Sequence, residues 1–208
     1  MRVDPKALLL GRRAQRIDRV VAERLGSLTL VLEGVHDPHN LAAVLRTAEG
    51  LGLQEVHVLE APIGFRPNSK ITQGADKWLD VVRHRSVGLC VEALRARGFL
   101  LFASLLAEES QPLERLPFDR KLALVFGNEH EGVSKELAAA CDGSFKIPMY
   151  GFTQSFNISV AAAIAIHAGV EAARRHAGGG NLPPRERAAL RRRFYALAVK
   201  QGGRLPRG

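Results

Sequence analysis

Cysteine is scarce in this 208-residue chain, with Cys90 and Cys141 as the two thiols. They lie far apart and show no CxxC or Cys/His spacing, which argues against a disulfide framework and a sequence-local zinc centre. A reducing cytoplasm is therefore the expected compartment. Long hydrophobic runs are missing too. The longest, Ile158–Ile166, falls well short of the ~20 residues that cross a bilayer, and Ala7–Leu10 is too short for a signal-peptide core. No membrane association is expected. GxGxxG, the P-loop Lys-Ser/Thr, HExxH, EF-hand spacing and a Gly-x-Ser-x-Gly elbow are all absent, which removes the familiar nucleotide, metalloprotease and serine-hydrolase signatures.

Charge is present in excess, and its distribution is informative. The chain carries a formal net charge of +9, but residues 26–173 are net negative. The whole positive surplus sits in residues 1–25 and in residues 174–208, the latter holding ten Lys/Arg against one acidic residue. Basic ends on a mildly acidic body suit contact with a polyanion. Size and composition fit one domain with additions at its ends, divided as residues 1–25, 26–176 and 177–208.

Periodicity yields a series of alternating elements. Leu28–Glu33 reads as a buried strand, and the turn "GVHDPHN" follows it. Asn40 is placed to cap a helix from Leu41 to about Leu51, with Leu41, Leu45 and Ala48 on one face. Glu55–Leu59 is a second strand, followed by a Pro- and Gly-rich loop. Then come a short strand at Leu79–Val82 and a helix from Val87 to Arg97 stopped by Gly98. Phe99–Ser104 and Lys121–Phe126 are strands separated by a polar loop. Ser134 opens a short helix ending at Cys141, and Ser144–Ile147 is the last strand. A long helix runs from about Ser155 to Arg175, with Thr153, Ser155 and Asn157 all able to cap it. "AGGGNLPP" reads as a flexible break, and Pro184 begins an Arg-rich helix ending at Lys200. Such alternation predicts an α/β domain with a mostly parallel sheet and helices on both faces.

Ligands of such sheets sit outside the carboxyl ends of the strands, so the loops there carry the candidate chemistry. His36 and His39 in "HDPHN", with Glu129, His130 and Glu131 in "NEHEG", raise the possibility of a metal hydrolase, but no established metal spacing supports it. Three features remain. Asn40 and Arg46 stand six residues apart in "NLAAVLRTAEG". A hydrophobic strand breaks at Gly127 in "LVFGNEHEG". Pro148 and Gly151 shape a loop ahead of Ser155 and Asn157 in "IPMYGFTQSFNISVAAAI". Helix propensity does not ask for that many polar groups at a helix mouth, and a single cap residue would suffice.

In this order and spacing the three motifs resemble those of the SPOUT superfamily of RNA methyltransferases, specifically its TrmH-like ribose 2′-O-methyltransferases. Phe156 and Ile158 stand where Leu and Val are commoner. The resemblance covers roughly residues 28–175. It implies a C-terminal trefoil knot, which general topology would not suggest, together with a homodimer and S-adenosyl-L-methionine as cofactor. It also implies that Arg46 is the catalytic centre, supported by Asn40, Glu129, Ser155 and Asn157. The cofactor would lie against Ser104, Leu105, Gly127, Ile147, Met149 and Phe156, with no metal. With its basic helical extensions the chain is most similar to tRNA enzymes that methylate the D-loop guanosine. A ribosomal-RNA ribose methyltransferase and a non-catalytic RNA-binding protein of the same fold are the alternatives.

Overall fold

Runs of Leu and Val bounded by glycine and polar turns become strands buried on both faces, which is the pattern of a parallel sheet covered by helices. The computed structural model describes residues 11–59 and 74–200, with Lys6, Leu9 and Thr72. The Pro- and Gly-rich loop expected after the second strand lies largely outside the described residues. The strands are β1 (Leu28–Glu33), β2 (Glu55–Leu59), β3 (Asp80–His84), β4 (Leu100–Ser104), β5 (Gln111–Pro112), β6 (Leu122–Phe126) and β7 (Gly143–Lys146). The helices are α1 (Gly11–Ala22), α2 (Pro38–Gly50), α3 (Val87–Arg95), α4 (Lys135–Ala140), α5 (Ile158–Ala177) and α6 (Pro184–Lys200).

The seven strands of the described residues all pair in parallel, in the order β3-β2-β1-β6-β4-β7-β5. β6 inserts between β1 and β4, and β7 inserts between β4 and β5. The strand order therefore reverses beside β1, and a crevice opens at the carboxyl ends of β6, β4 and β7. Alternate residues divide the core in two. Leu28, Leu30, Leu32, Val56 and Leu124 pack with α2 and α5, while Val31, Leu59, Ala123 and Val125 pack with α3 and α4. β5 escaped the sequence reading because it is two residues long and contains a proline, which confines it to a sheet edge.

α1 and α6 form a third apolar cluster, with Ile17 and Val21 packed with Leu190, Phe194 and Tyr195. This pair is tied to the sheet. Buried Arg24 donates to Leu53 O at 2.6 Å and to Glu49 Oε1 at 2.7 Å, and burial lowers its pKa from the ordinary arginine value. Trp78 meets the Phe194 ring edge-on at 4.9 Å. The segment read as a flexible break is instead a built turn. Gly178 caps α5 in a left-handed conformation, and a Cβ on Gly180 would lie 2.1 Å from Ala22 O, so only glycine allows the approach to α1. Asn181 then holds the chain in place. Its Oδ1 accepts from Gly26 N at 2.7 Å and Ser27 N at 3.2 Å, and its Nδ2 donates to Ser27 Oγ at 2.6 Å. Among the described residues no helix is long and apolar enough to cross a membrane.

Asn181→Ala leaves two part-buried backbone N–H groups without that acceptor, so an unfolding free-energy loss of about 1–3 kcal/mol is expected. A urea melt of the variant beside the wild type measures it, and an unchanged midpoint would remove Asn181 from the account of how α6 is anchored.

Candidate active site

Asp37, rather than Asn40, caps α2. Its side chain accepts from His39 N at 2.8 Å, with Pro38 at the first helical position, where a missing N–H costs nothing. The cap lies three residues earlier than the periodicity suggested because the apolar stripe begins after the first turn. The shift frees the Asn40 side chain. Asn40 Nδ2 donates to Glu129 Oε1 at 2.6 Å, and Asn40 Oδ1 accepts from Asn157 Nδ2 at 3.2 Å. A carboxylate can only accept, so Glu129 sets the direction of both amides.

Each partner is fixed by its own loop. α5 begins at Ile158, later than expected, because Asn157 is its cap: Asn157 Oδ1 accepts from Ser159 N at 2.8 Å and Ser159 Oγ at 2.6 Å. Residues 151–157, including Ser155, are exposed. After β6 the backbone folds tightly back, with Asn128 and Gly132 exchanging hydrogen bonds of 3.2 and 3.1 Å. A Cβ on Gly127 would stand 1.8 Å from Gly132 O, so only glycine fits there. Asn128 Oδ1 accepts from His130 N at 2.8 Å and Glu131 N at 2.7 Å, an Asx turn that presents Glu129 outward. The candidate set omits Asn128, although a short polar residue directly after the strand-ending glycine was the readable signal. Buried Glu33, at the end of β1, accepts from Ser134 N and Ser134 Oγ, each at 2.7 Å, and so docks the start of α4 beside this loop.

Between the loops lies a cleft of about 380 Å³. Ser104, Leu105, Gly127, Ile147, Met149 and Phe156 all line it, as do Glu129 and Ser155. Phe126, Ile158 and Ala161 complete its apolar wall. Asn40 and Asn157 join Glu129 through hydrogen bonds without lining the cleft themselves. Arg46 stands apart. It is exposed, some two turns along α2, and lines a separate cavity of about 230 Å³ with Arg16, Trp78 and Phe194. Neither thiol has the lowered pKa of an activated nucleophile. Burial pushes Cys90 up to about 11 and Cys141 up to about 12, with Glu33 and Asp142 respectively adding to the shift.

A parallel sheet with a largely apolar cleft at its switch point, and three polar loops meeting at the rim, is the layout of an α/β enzyme that binds a small ligand there. The profile described as the SpoU rRNA Methylase family matches residues 27–167, and the chain belongs to that family. It is 37% identical over 185 residues to a tRNA (guanosine(18)-2′-O)-methyltransferase of Borreliella burgdorferi, covering 89% of this chain and 85% of that protein. Its fold matches the crystal structure of the A. aeolicus TrmH/SpoU tRNA modifying enzyme with a TM-score of 0.81 and 28% identity, covering 90% of this chain and 97% of that one. An AdoMet-bound rRNA methyltransferase from Sinorhizobium meliloti matches with a TM-score of 0.64 and 26% identity, over 76% of this chain and 60% of that one.

Gly127→Ala places a methyl group against backbone, so its cost should exceed the about 1–3 kcal/mol of ordinary overpacking unless the loop moves. The expected result is a loop displaced from Asn40 and loss of S-adenosylmethionine binding by calorimetry, with far-UV circular dichroism retained. Wild-type affinity in this variant would show that the loop geometry is not required.

Proposed function

We propose that this protein is an S-adenosylmethionine-dependent tRNA ribose 2′-O-methyltransferase acting on the D-loop guanosine, the position named for its Borreliella relative. The observation that carries the reading is the meeting of Asn40, Glu129 and Asn157 at the rim of the cleft, in a chain aligned over most of its length with that enzyme. The cleft fits the cofactor. Its volume falls within the range of small-molecule sites, about 300–1,000 Å³. Phe126, Ile147, Met149, Phe156 and Ile158 offer apolar wall to an adenine.

When bound, the cofactor supplies an electrophilic methyl group on a sulfonium. The chain's own task is to hold a ribose hydroxyl in line with that methyl and to accommodate the hydroxyl proton, which requires no metal. Glu129 and Ser155 in the cleft, with Asn40 and Asn157 joined to Glu129 at its rim, would orient the acceptor. A guanidinium is a poor base and a good anion partner, so the role of Arg46 is to clamp a phosphate and stabilise developing charge. RNA reaching the cleft across the Arg16–Arg46 cavity would meet it on the way.

Further parts of the reading rest on narrower support. Tyr150 and Phe152 are almost fully exposed and Val160 is half-exposed, an apolar patch at the start of α5 suited to a second copy in a homodimer. The insertion of β6 and β7 between earlier strands, with α5 returning to pack on α2, suits a trefoil knot. Residues 26–176 form the proposed catalytic unit, flanked by the basic segments 1–25 and 177–208, and the cytoplasm is its proposed compartment. A ribosomal-RNA substrate is the second reading, favoured by the likeness to the Sinorhizobium enzyme.

Incubation with labelled S-adenosylmethionine and either bulk tRNA or rRNA, followed by nucleoside mapping, tests the proposal. Label in 2′-O-methylguanosine of the tRNA D-loop is expected, and label confined to rRNA or to a base would overturn it. Arg46→Ala should lower methyl transfer on the order of 10²–10⁴-fold while leaving the thermal midpoint in place, since the side chain is exposed. Turnover near the wild-type rate would remove Arg46 from the mechanism.

Arg12, Arg16, Arg19, Arg185 and Arg192 are exposed and form no ion pair among the described residues. Replacing Arg16, Arg19 and Arg192 with Ala should weaken tRNA binding and flatten the slope of log affinity against log salt by roughly 0.7–0.9 for each phosphate no longer neutralised. Cofactor binding should stay as it was. An unchanged salt slope would place the RNA on another face.

A further inference from the structure

On the α3 side of the sheet, away from the cleft, lies a polar cluster that the methyl-transfer reading does not use. His57 on β2 is 1% exposed, and Cys90 on α3 is fully buried. His84, at the end of the edge strand β3, is partly exposed. β2 and β3 pair so that His57, Leu59, Val82 and His84 share one face, the face on which α3 lies. His57 Nδ1 and His84 Nε2 approach to 2.7 Å, with the rings stacked at 5.0 Å. One ligating atom from each of His57, His84 and Cys90 falls within 4.8 Å of the others.

An apolar pair would fill this space without desolvating two imidazoles, so the cluster calls for a partner. His57 Nε2 lies 2.5 Å from Glu55 Oε1, where its N–H donates to the carboxylate. Glu55 is in turn paired with Arg97. A carboxylate behind a buried imidazole is the arrangement that orients metal-ligating histidines and fixes which ring nitrogen carries the lone pair. Here that nitrogen would be Nδ1, facing His84 and Cys90.

We propose that His57, His84 and Cys90 form a three-ligand site for a borderline-soft divalent cation of the zinc type, with solvent as the fourth ligand on the exposed His84 side. Two imidazoles and a thiolate suit such an ion. Binding exchanges a proton for the metal. The proton shared between the rings moves to His84 Nδ1, and the Cys90 thiol loses its proton to solvent, because a coordinated thiol is deprotonated outright. With Zn–N bonds of about 2.0–2.1 Å, tetrahedral geometry sets the two nitrogens about 3.3 Å apart. The rings need only part by roughly half an ångström. The ion would pin edge strand β3 and helix α3 to β2, a structural role separate from methyl transfer. None of the three residues lines the cleft or the Arg46 cavity.

Cobalt(II) titration of the intact, chelator-treated protein tests the site. Uptake of a single ion per chain is expected, with near-ultraviolet thiolate-to-cobalt charge-transfer absorption and intense visible bands of tetrahedral cobalt. Cys90→Ala should abolish the charge-transfer band, and Cys141→Ala should keep it. His84→Gln, at a partly exposed position where folding is safe, should weaken binding at least roughly tenfold. Zinc should raise the thermal midpoint of the wild type but not that of His84→Gln. Cobalt bound without a thiolate band would be held by surface histidines and would overturn the proposal. A band that survives Cys90→Ala, or an affinity unchanged in His84→Gln, would overturn it as well.

Discussion

The side chain of Asn40 is where three distant segments are made to share one place. The first turn of α2, the loop after β6 and the loop before α5 each bring one polar group, and the Asn157–Asn40–Glu129 relay aligns them. These bonds are solvent-accessible, so their contribution to global stability is small. What they supply is register between loops that would otherwise move independently. That register depends on an economy at the start of α2: because Asp37 performs the capping, Asn40 keeps both ends of its amide for long-range partners. The same division of labour recurs at α5. There Asn157 caps the helix with its oxygen and reaches Asn40 with its nitrogen. One residue thus terminates the loop and joins the site.

Sheet topology explains why these loops meet at all. With β6 lodged between β1 and β4, the carboxyl ends of strands from the first and second halves of the chain become neighbours. The turn after β6 must then reverse within a few residues to clear the space in front of β1 and β4. Gly127 permits that reversal, and Glu33 holds the next helix close by through Ser134. The cleft is the volume left over. Its walls are continuous with the α2–α5 core layer, since Phe126 and Ile158 belong to both. A ligand seated there would rest against that buried layer.

Local patterns revealed most of the elements. The leucine and valine runs of β1 and β6, the Ser134 cap and the Pro184 start of α6 lie where hydrophobic periodicity and capping chemistry put them. Boundaries slipped where two caps competed. Asn40 looked like the first cap because the apolar stripe begins after it, and Ser155 looked like a helix start because three possible caps crowd residues 153–157. Long-range pairing was not legible, because a parallel strand does not advertise its neighbour, and the insertion of β6 leaves no trace in periodicity. The glycine triplet misled for a related reason. Glycine marks both floppy chain and close backbone approach, and only the nearness of Ala22 distinguishes them. The His57, His84 and Cys90 cluster was hidden likewise, since its members are scattered in sequence and joined by strand register.

The basic ends present an apparent conflict, because a segment cannot be both a loose arm reaching for a polyanion and a packed part of the fold. α1 and α6 resolve it through amphipathicity. Ile17, Val21, Leu190 and Phe194 close the space between the two helices, leaving several arginines on the outer surface. Asp18 and Asp80 neutralise Arg191 and Arg193, so the arginines nearest the body are committed to holding α6 in place. Among the described residues Arg12, Arg16, Arg19, Arg185 and Arg192, farther out, form no ion pair. Packing therefore sets the outer arginines in an array on a folded helix pair rather than on a loose tail. Rigid charges lose less side-chain and chain entropy on binding than a tail that must be ordered first. The array also borders the Arg16–Arg46 cavity. On the proposed reading, the surface that attracts the phosphate backbone leads without interruption to the arginine that clamps the target nucleotide.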